Sequence, residues 1–139
     1  MVRSATRRAC WLGGARAVAA PLYQSVARGS SDPHALAHLG AVDAAIAAAE
    51  AMLTSAACQV DADPLGRFGS PELLARRTRA VVETAVDEAI TRTGRALGPG
   101  PLALDGQHAR RVADLTIYVR QSHAERDLAA LGRLAGAEK

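Results

Sequence analysis

The sequence predicts an all-α protein, an antiparallel up-down-up-down four-helix bundle. Three observations predict it. Hydrophobic residues make up 49% of the 139 positions and aromatics only 3%. The apolar share is therefore mostly Ala, Leu and Val, a mix that suits close helix packing better than strands. Three breaker-rich stretches, 28–33, 61–71 and 98–106, cut the chain into four parts. Within each part, apolar residues recur at three-and-four spacing. The length fits one domain.

The first helix is expected over about 6–27, with Leu12, Ala15, Val18, Ala19, Leu22 and Val26 on one face. Gly13 and Gly14 weaken it but allow a neighbour to approach closely. Pro21 removes a backbone bond and should kink it or mark its weak point. The second helix is expected over 33–61. Ser31 or Asp32 can cap it, and Pro33 suits the first helical position. Its seam reads Leu39, Val42, Ile46, Ala49, Leu53, Ala56 and Val60.

The third helix is expected over 71–97, with Ser70 as cap, Pro71 first and Glu72 in the first turn. Its stripe runs from Leu74 through Val81, Val82, Ala85, Val86, Ala89 and Ile90 to Leu97. Arg79 and Glu83 are spaced to pair across one turn. The fourth helix is expected over 106–135, capped by Asp105. Val112, Leu115, Ile117 and Val119 serve its first half and Leu128, Leu131 and Leu134 its end. From Arg120 to Asp127 only Ala124 is apolar. That stretch reads either as a solvated face or as the wall of a site.

The formal charge is +3, carried almost wholly by Arg, since Lys139 is the only Lys. Residues 1–31 hold Arg3, Arg7, Arg8, Arg16 and Arg28 and no acid. An arginine-faced first helix explains this; a transit peptide is the competing reading, and a secretory signal fits badly because Arg16 interrupts the apolar stretch. Nothing interleaves aromatics with the basic residues, so a nucleic-acid partner is not expected. No apolar run approaches the roughly 20 residues that span a bilayer, so a soluble, cytoplasmic chain is expected. Cys10 and Cys58 lack metal or redox spacing and read as two small buried residues.

His34 and His38 share a helix face, but no general base lies between them, and no metal site is expected. Ser122, His123, Glu125 and Asp127 contain the residue types of a hydrolytic triad. Adjacent helical residues do not face each other, so that reading is poor. The Gly-Pro alternation at 97–101 is a weak phosphate-loop signal, because proline lacks an amide donor.

Taken in order, the segments resemble the C-terminal helical domain of the acyl-CoA dehydrogenase family of flavoenzymes. The likeness rests on CWLGGARAVAAPLYQSVA, on AHLGAVDAAIAAAEAMLTSAACQVDAD, on GRALGPGPL and on HARRVADLTIYVRQSHAERDLAALGR. Arg110, Asp114, Ile117 and Tyr118 match the pattern of the last helix. The resemblance implies oxidation of an acyl-CoA at its α and β carbons with FAD as cofactor. It implies flavin contacts at Arg95, Gly98 and Gly100, and puts Ser122 where the family carries its catalytic glutamate. The partners it implies are further copies of the chain in a homo-oligomer, or the flavoenzyme domains that complete the pocket. The isolated chain is then expected to be inactive. The alternative is a non-catalytic interaction or oligomerisation bundle that kept the fold and lost the chemistry.

Overall fold

The computed structural model describes residues 2–137, with side chains from residue 8 onward. The described residues fold into six helices, and no strand occurs among them. Three long helices come first: α1 (Val2–Ala27), α2 (Pro33–Ala62) and α3 (Pro71–Leu97). A short α4 (Gly100–Leu104) leads into α5 (Gly106–Val119) and α6 (Ala124–Ala137).

The caps follow the chemistry of the sequence. Asp32 accepts from the amides of His34 and Ala35, with Pro33 in the first turn of α2. Ser70 accepts from the Leu73 amide at the head of α3. Asp105 accepts from Gln107 and His108 at the head of α5. α3 ends on Gly98 at φ 67°, a left-handed conformation that glycine adopts without a Cβ penalty.

α1 and α2 lie antiparallel, because Arg16 meets Glu50 and Tyr23 meets Asp43. α1 also packs on α3 and α5, and α3 packs on α1, α2, α5 and α6, so α3 is the helix around which the others gather. Val18, Ala19 and Leu22 are wholly buried, and their packing carries α1 through Pro21 without a break. The α2 seam buries Val42, Ile46 and Ala49, and the α3 stripe buries Val82, Ala85, Val86 and Ala89. Gly14 provides the predicted close approach. A Cβ there would stand 2.7 Å from a Leu115 methyl, whereas Gly13 faces open space.

Trp11 is 1% exposed and closes one end of the core. Tyr118 meets its edge at 6.1 Å between ring centroids, and the Arg79 guanidinium stands 5.7 Å from its ring centroid.

Four expectations need correction. The predicted fourth helix over 106–135 is two helices, α5 and α6, with 120–123 non-helical between them, and α4 is additional. At the break α3 meets the chain twice: Arg79 at the Gln121 carbonyl and Glu83 at the Ser122 hydroxyl. Arg79 does not pair with Glu83; it reaches Asp127 at 3.2 Å and the Gln121 carbonyl at 3.2 Å. Cys10 and Cys58 are exposed rather than buried, because each falls on the outer side of its helix. Finally, α2 is by length and composition apolar enough to cross a membrane: its mean hydropathy reaches 1.4, yet only 17% of that window is buried. Its many alanines raise the hydropathy without needing the core.

The Gly14–Leu115 contact gives a stability test. Gly14→Val should lower the unfolding free energy by about 1–3 kcal/mol through overpacking. Gly13→Ala, one residue away and facing open space, should instead raise it by roughly 0.5–1 kcal/mol, the usual gain over Gly within a helix. Urea unfolding followed by circular dichroism measures both.

Candidate functional site

The break between α5 and α6 opens onto a cleft of about 480 Å³. α3 supplies one wall with Glu83, Asp87 and Thr91, which sit one turn apart on one face. The end of α5 supplies Thr116, and the break supplies Arg120 and Ser122. Ile90 and Val119 are its larger apolar side chains. The volume lies in the range of small-molecule sites.

Ser122 is the buried member, 8% exposed. Its hydroxyl donates to Glu83 Oε2 at 2.7 Å, a charge-assisted bond of ordinary length. The position where the resemblance expects a carboxylate on the last helix thus has one beside it, brought from α3. This bond fixes one oxygen of Glu83 at the cleft. No salt bridge reaches Glu83 or Asp87 among the described residues, whereas Glu72 and Glu88 on the same helix each hold an arginine four residues on.

Asp87 borders the cleft with its carboxyl partly desolvated. Burial raises its pKa above the ordinary aspartate value; Arg120 opposes the rise and the neighbouring Glu88 adds to it. Two acids four residues apart on one helix repel each other. The cleft therefore concentrates negative charge that the fold leaves without an ion-pair partner, a pattern common at functional sites.

The other sequence-predicted residues lie elsewhere. Arg95 is exposed near the end of α3, Gly98 caps that helix and Gly100 opens α4. Arg95 is twelve residues beyond Glu83, about 18 Å along the helix at the usual rise. No atom lies within 4 Å of a Cβ built on Gly98 or Gly100. The three form no cradle for FAD within this chain, so no chemical step is assigned to them. His123 is exposed and is not hydrogen-bonded to Ser122. His34 is exposed, His38 is half-buried, and no cluster of three metal-ligating side chains occurs among the described residues.

A second groove of about 430 Å³ runs between α1 and α2. Its polar groups answer one another: Arg16 holds Glu50 at 2.6 Å, and the Tyr23 hydroxyl donates to Asp43 at 2.8 Å. Burial, then the bond to Asp43, pushes the Tyr23 phenol up to about 12. The arginine and glutamate of this groove are paired with each other, whereas no salt bridge reaches Glu83 or Asp87 among the described residues.

Sequence reasoning missed Glu83, Asp87 and Thr116. A signal for the first two was present. Along α3, acids followed four residues later by arginine mark solvent-facing pairs, and Glu83 followed by Asp87 breaks that pattern.

Asp87 makes the electrostatics testable. A carboxyl with a raised folded pKa destabilises the fold once ionised, and the penalty vanishes below the unfolded pKa. Asp87→Asn should therefore raise the urea midpoint at neutral pH and leave it unchanged well below the carboxylate range. Arg120→Gln should shift the Asp87 carboxyl further upward, read by carbon-detected NMR titration.

No family model, curated protein or solved structure matches the chain, so the reading of the cleft rests on its own geometry.

Proposed function

We propose that the chain serves as the helical C-terminal part of an acyl-CoA dehydrogenase-type flavoenzyme. In this reading it contributes one wall of a site that oxidises an acyl-CoA at its α and β carbons. The observation that carries the reading is the Ser122–Glu83 pair at the cleft. The sequence resemblance points to position 122 as the place of a catalytic carboxylate, and Glu83 offers that carboxylate from the adjoining helix. A serine hydroxyl has no useful basicity at neutral pH, whereas a positioned glutamate can take a proton from a substrate carbon. Ser122 then acts as the positioning residue, holding one oxygen of Glu83 and leaving the other for the substrate side.

Such a chain works only when assembled. Its own residues offer no cradle for FAD, so the cofactor is held chiefly by other domains or subunits, in a cytoplasmic enzyme. Other copies of the chain, or other flavoenzyme domains, cover its open faces. The bundle's part is to orient the acyl group, exclude water and place Glu83.

A non-catalytic oligomerisation bundle is the second reading, and the outer face of α2 favours it. Leu36, Gly40, Ala44 and Ala51 are exposed there, while Asp43 and Glu50 turn toward α1. An uncharged helix face of this length suits packing against another helix.

The two readings separate on one preparation. The chain is isolated from its native cells in whatever assembly it forms, then scanned for bound flavin and mixed with acyl-CoA without oxygen. The flavoenzyme reading expects a flavin band that bleaches, and a Glu83→Gln substitution that slows bleaching by roughly 100-fold or more, the usual share of general-base catalysis. A colourless assembly, or bleaching unaffected by Glu83→Gln, would leave the oligomerisation bundle.

A further inference from the structure

The junction between α5 and α6 breaks a helix without a breaker. Arg120, Gln121, Ser122 and His123 include neither Gly nor Pro, and such residues between two helices ordinarily continue the helix. Yet α5 stops at Val119 and α6 starts at Ala124, which takes φ 35°. This is the only positive φ at a non-glycine among the described residues. A residue with a Cβ is held there only when surrounding contacts impose it.

Those contacts come from one face of α3. Glu83 accepts from Ser122 Oγ at 2.7 Å. Arg79 donates to the Gln121 carbonyl at 3.2 Å. Arg76 and Arg79 reach Asp127 at 3.4 and 3.2 Å. On the α6 side, Asp127 also accepts from the His123 amide at 3.0 Å, which caps the restarted helix. α6 itself has no buried residue, and α3 is its main support. A few polar contacts, rather than a core, hold the bend.

We propose that the α5–α6 junction is a two-state hinge, bent while α3 grips 121–127 and straight when that grip is lost. In the straight state α5 and α6 form one continuous helix. Leu128 follows Val119 by nine residues, two and a half turns at 3.6 residues per turn. Leu128 then stands half a turn from Val119, on the side away from the core face of α5, with Leu131 about 120° round the helix and Leu134 about 60°. The same change withdraws Ser122 and Ala124 from the wall of the cleft. The hinge thus couples the cleft to the direction of α6: whatever holds α6 in line with α5 favours the straight, open-walled state. This does not depend on the chemistry assigned to the cleft.

The test uses the full chain with Cys10 and Cys58 changed to Ser, so that spin labels attach only at Ile117→Cys and Arg133→Cys. A continuous helix would place the two labelled positions about 24 Å apart along its axis at 1.5 Å per residue. The parent should show a shorter main distance. Glu83→Ala with Asp127→Ala should shift the population to the straight-helix distance, with slowed amide exchange across 120–124. An unchanged distance would overturn the hinge. So would a broadened distribution with free exchange throughout 124–137, which means that α6 frays rather than joins α5. Amide protection in α1–α3 reports whether the double variant folds. If it is lost, Asp127→Ala alone must give a smaller shift in the same direction, and no shift there also overturns the proposal.

Discussion

The fold depends on how closely α1, α2 and α3 can approach one another. Ala15, Ala19, Ala49, Ala85 and Ala89 are each at most 1% exposed, and Gly14 lets Leu115 come within reach of the α1 backbone. Small residues at these crossings bring backbones together, so many weak dispersion contacts replace the few large ones that aromatics would supply. This is why a chain with 3% aromatics still forms a core. Its one Trp is placed where the helix contacts end, under Arg79 and against Tyr118. Packing of this kind tolerates little volume change at the crossings and leaves the outer faces of the helices free to vary.

Those outer faces sort the charges. Most acids on α2 and α3 have an answering group: Glu50 holds Arg16, Asp43 accepts from Tyr23, and Glu72 and Glu88 hold arginines one turn on. Exposed pairs of this kind contribute only about 0–1 kcal/mol each. They show where charge is solvated and neutralised rather than what holds the molecule together. Against that background Glu83 and Asp87 differ. They face a cleft, repel each other, and one of them is raised by burial and held down only by Arg120. An arrangement that opposes stability while other acids of the helix are neutralised marks a candidate site.

The three long helices were legible because their caps, breakers and apolar spacing agree. Asp32, Ser70 and Asp105 do what their residue types do at helix starts. The break at 120–123 was not legible from propensity, because no residue there disfavours a helix. It did leave a trace in periodicity. Val112, Leu115 and Val119 follow one phase, while Leu128, Leu131 and Leu134 are centred about a third of a turn away. One straight helix cannot turn both Val119 and Leu128 toward the same core. The cleft was legible only in part: Ser122 stood out through resemblance, while Glu83 required knowing which helix comes to lie beside it.

The failed expectation at Arg79 shows how that juxtaposition arises. A pairing with Glu83 one turn away contributes roughly 0.3–0.5 kcal/mol on an exposed helix. Arg79 is instead offered the Asp127 carboxylate, with both side chains less than a quarter exposed, together with the Gln121 carbonyl and the face of Trp11. Burial pushes the Asp127 carboxyl up, but the His123 amide, then Arg79, His123 and Arg76, outweigh it and hold its pKa below the ordinary value. A partly desolvated set of partners outcompetes a single solvated one. Once Arg79 turns to the break, Glu83 is released from its local partner and becomes available to Ser122. The same choice that bends the last helix therefore also leaves a carboxylate in the cleft, so hinge and site have one physical origin.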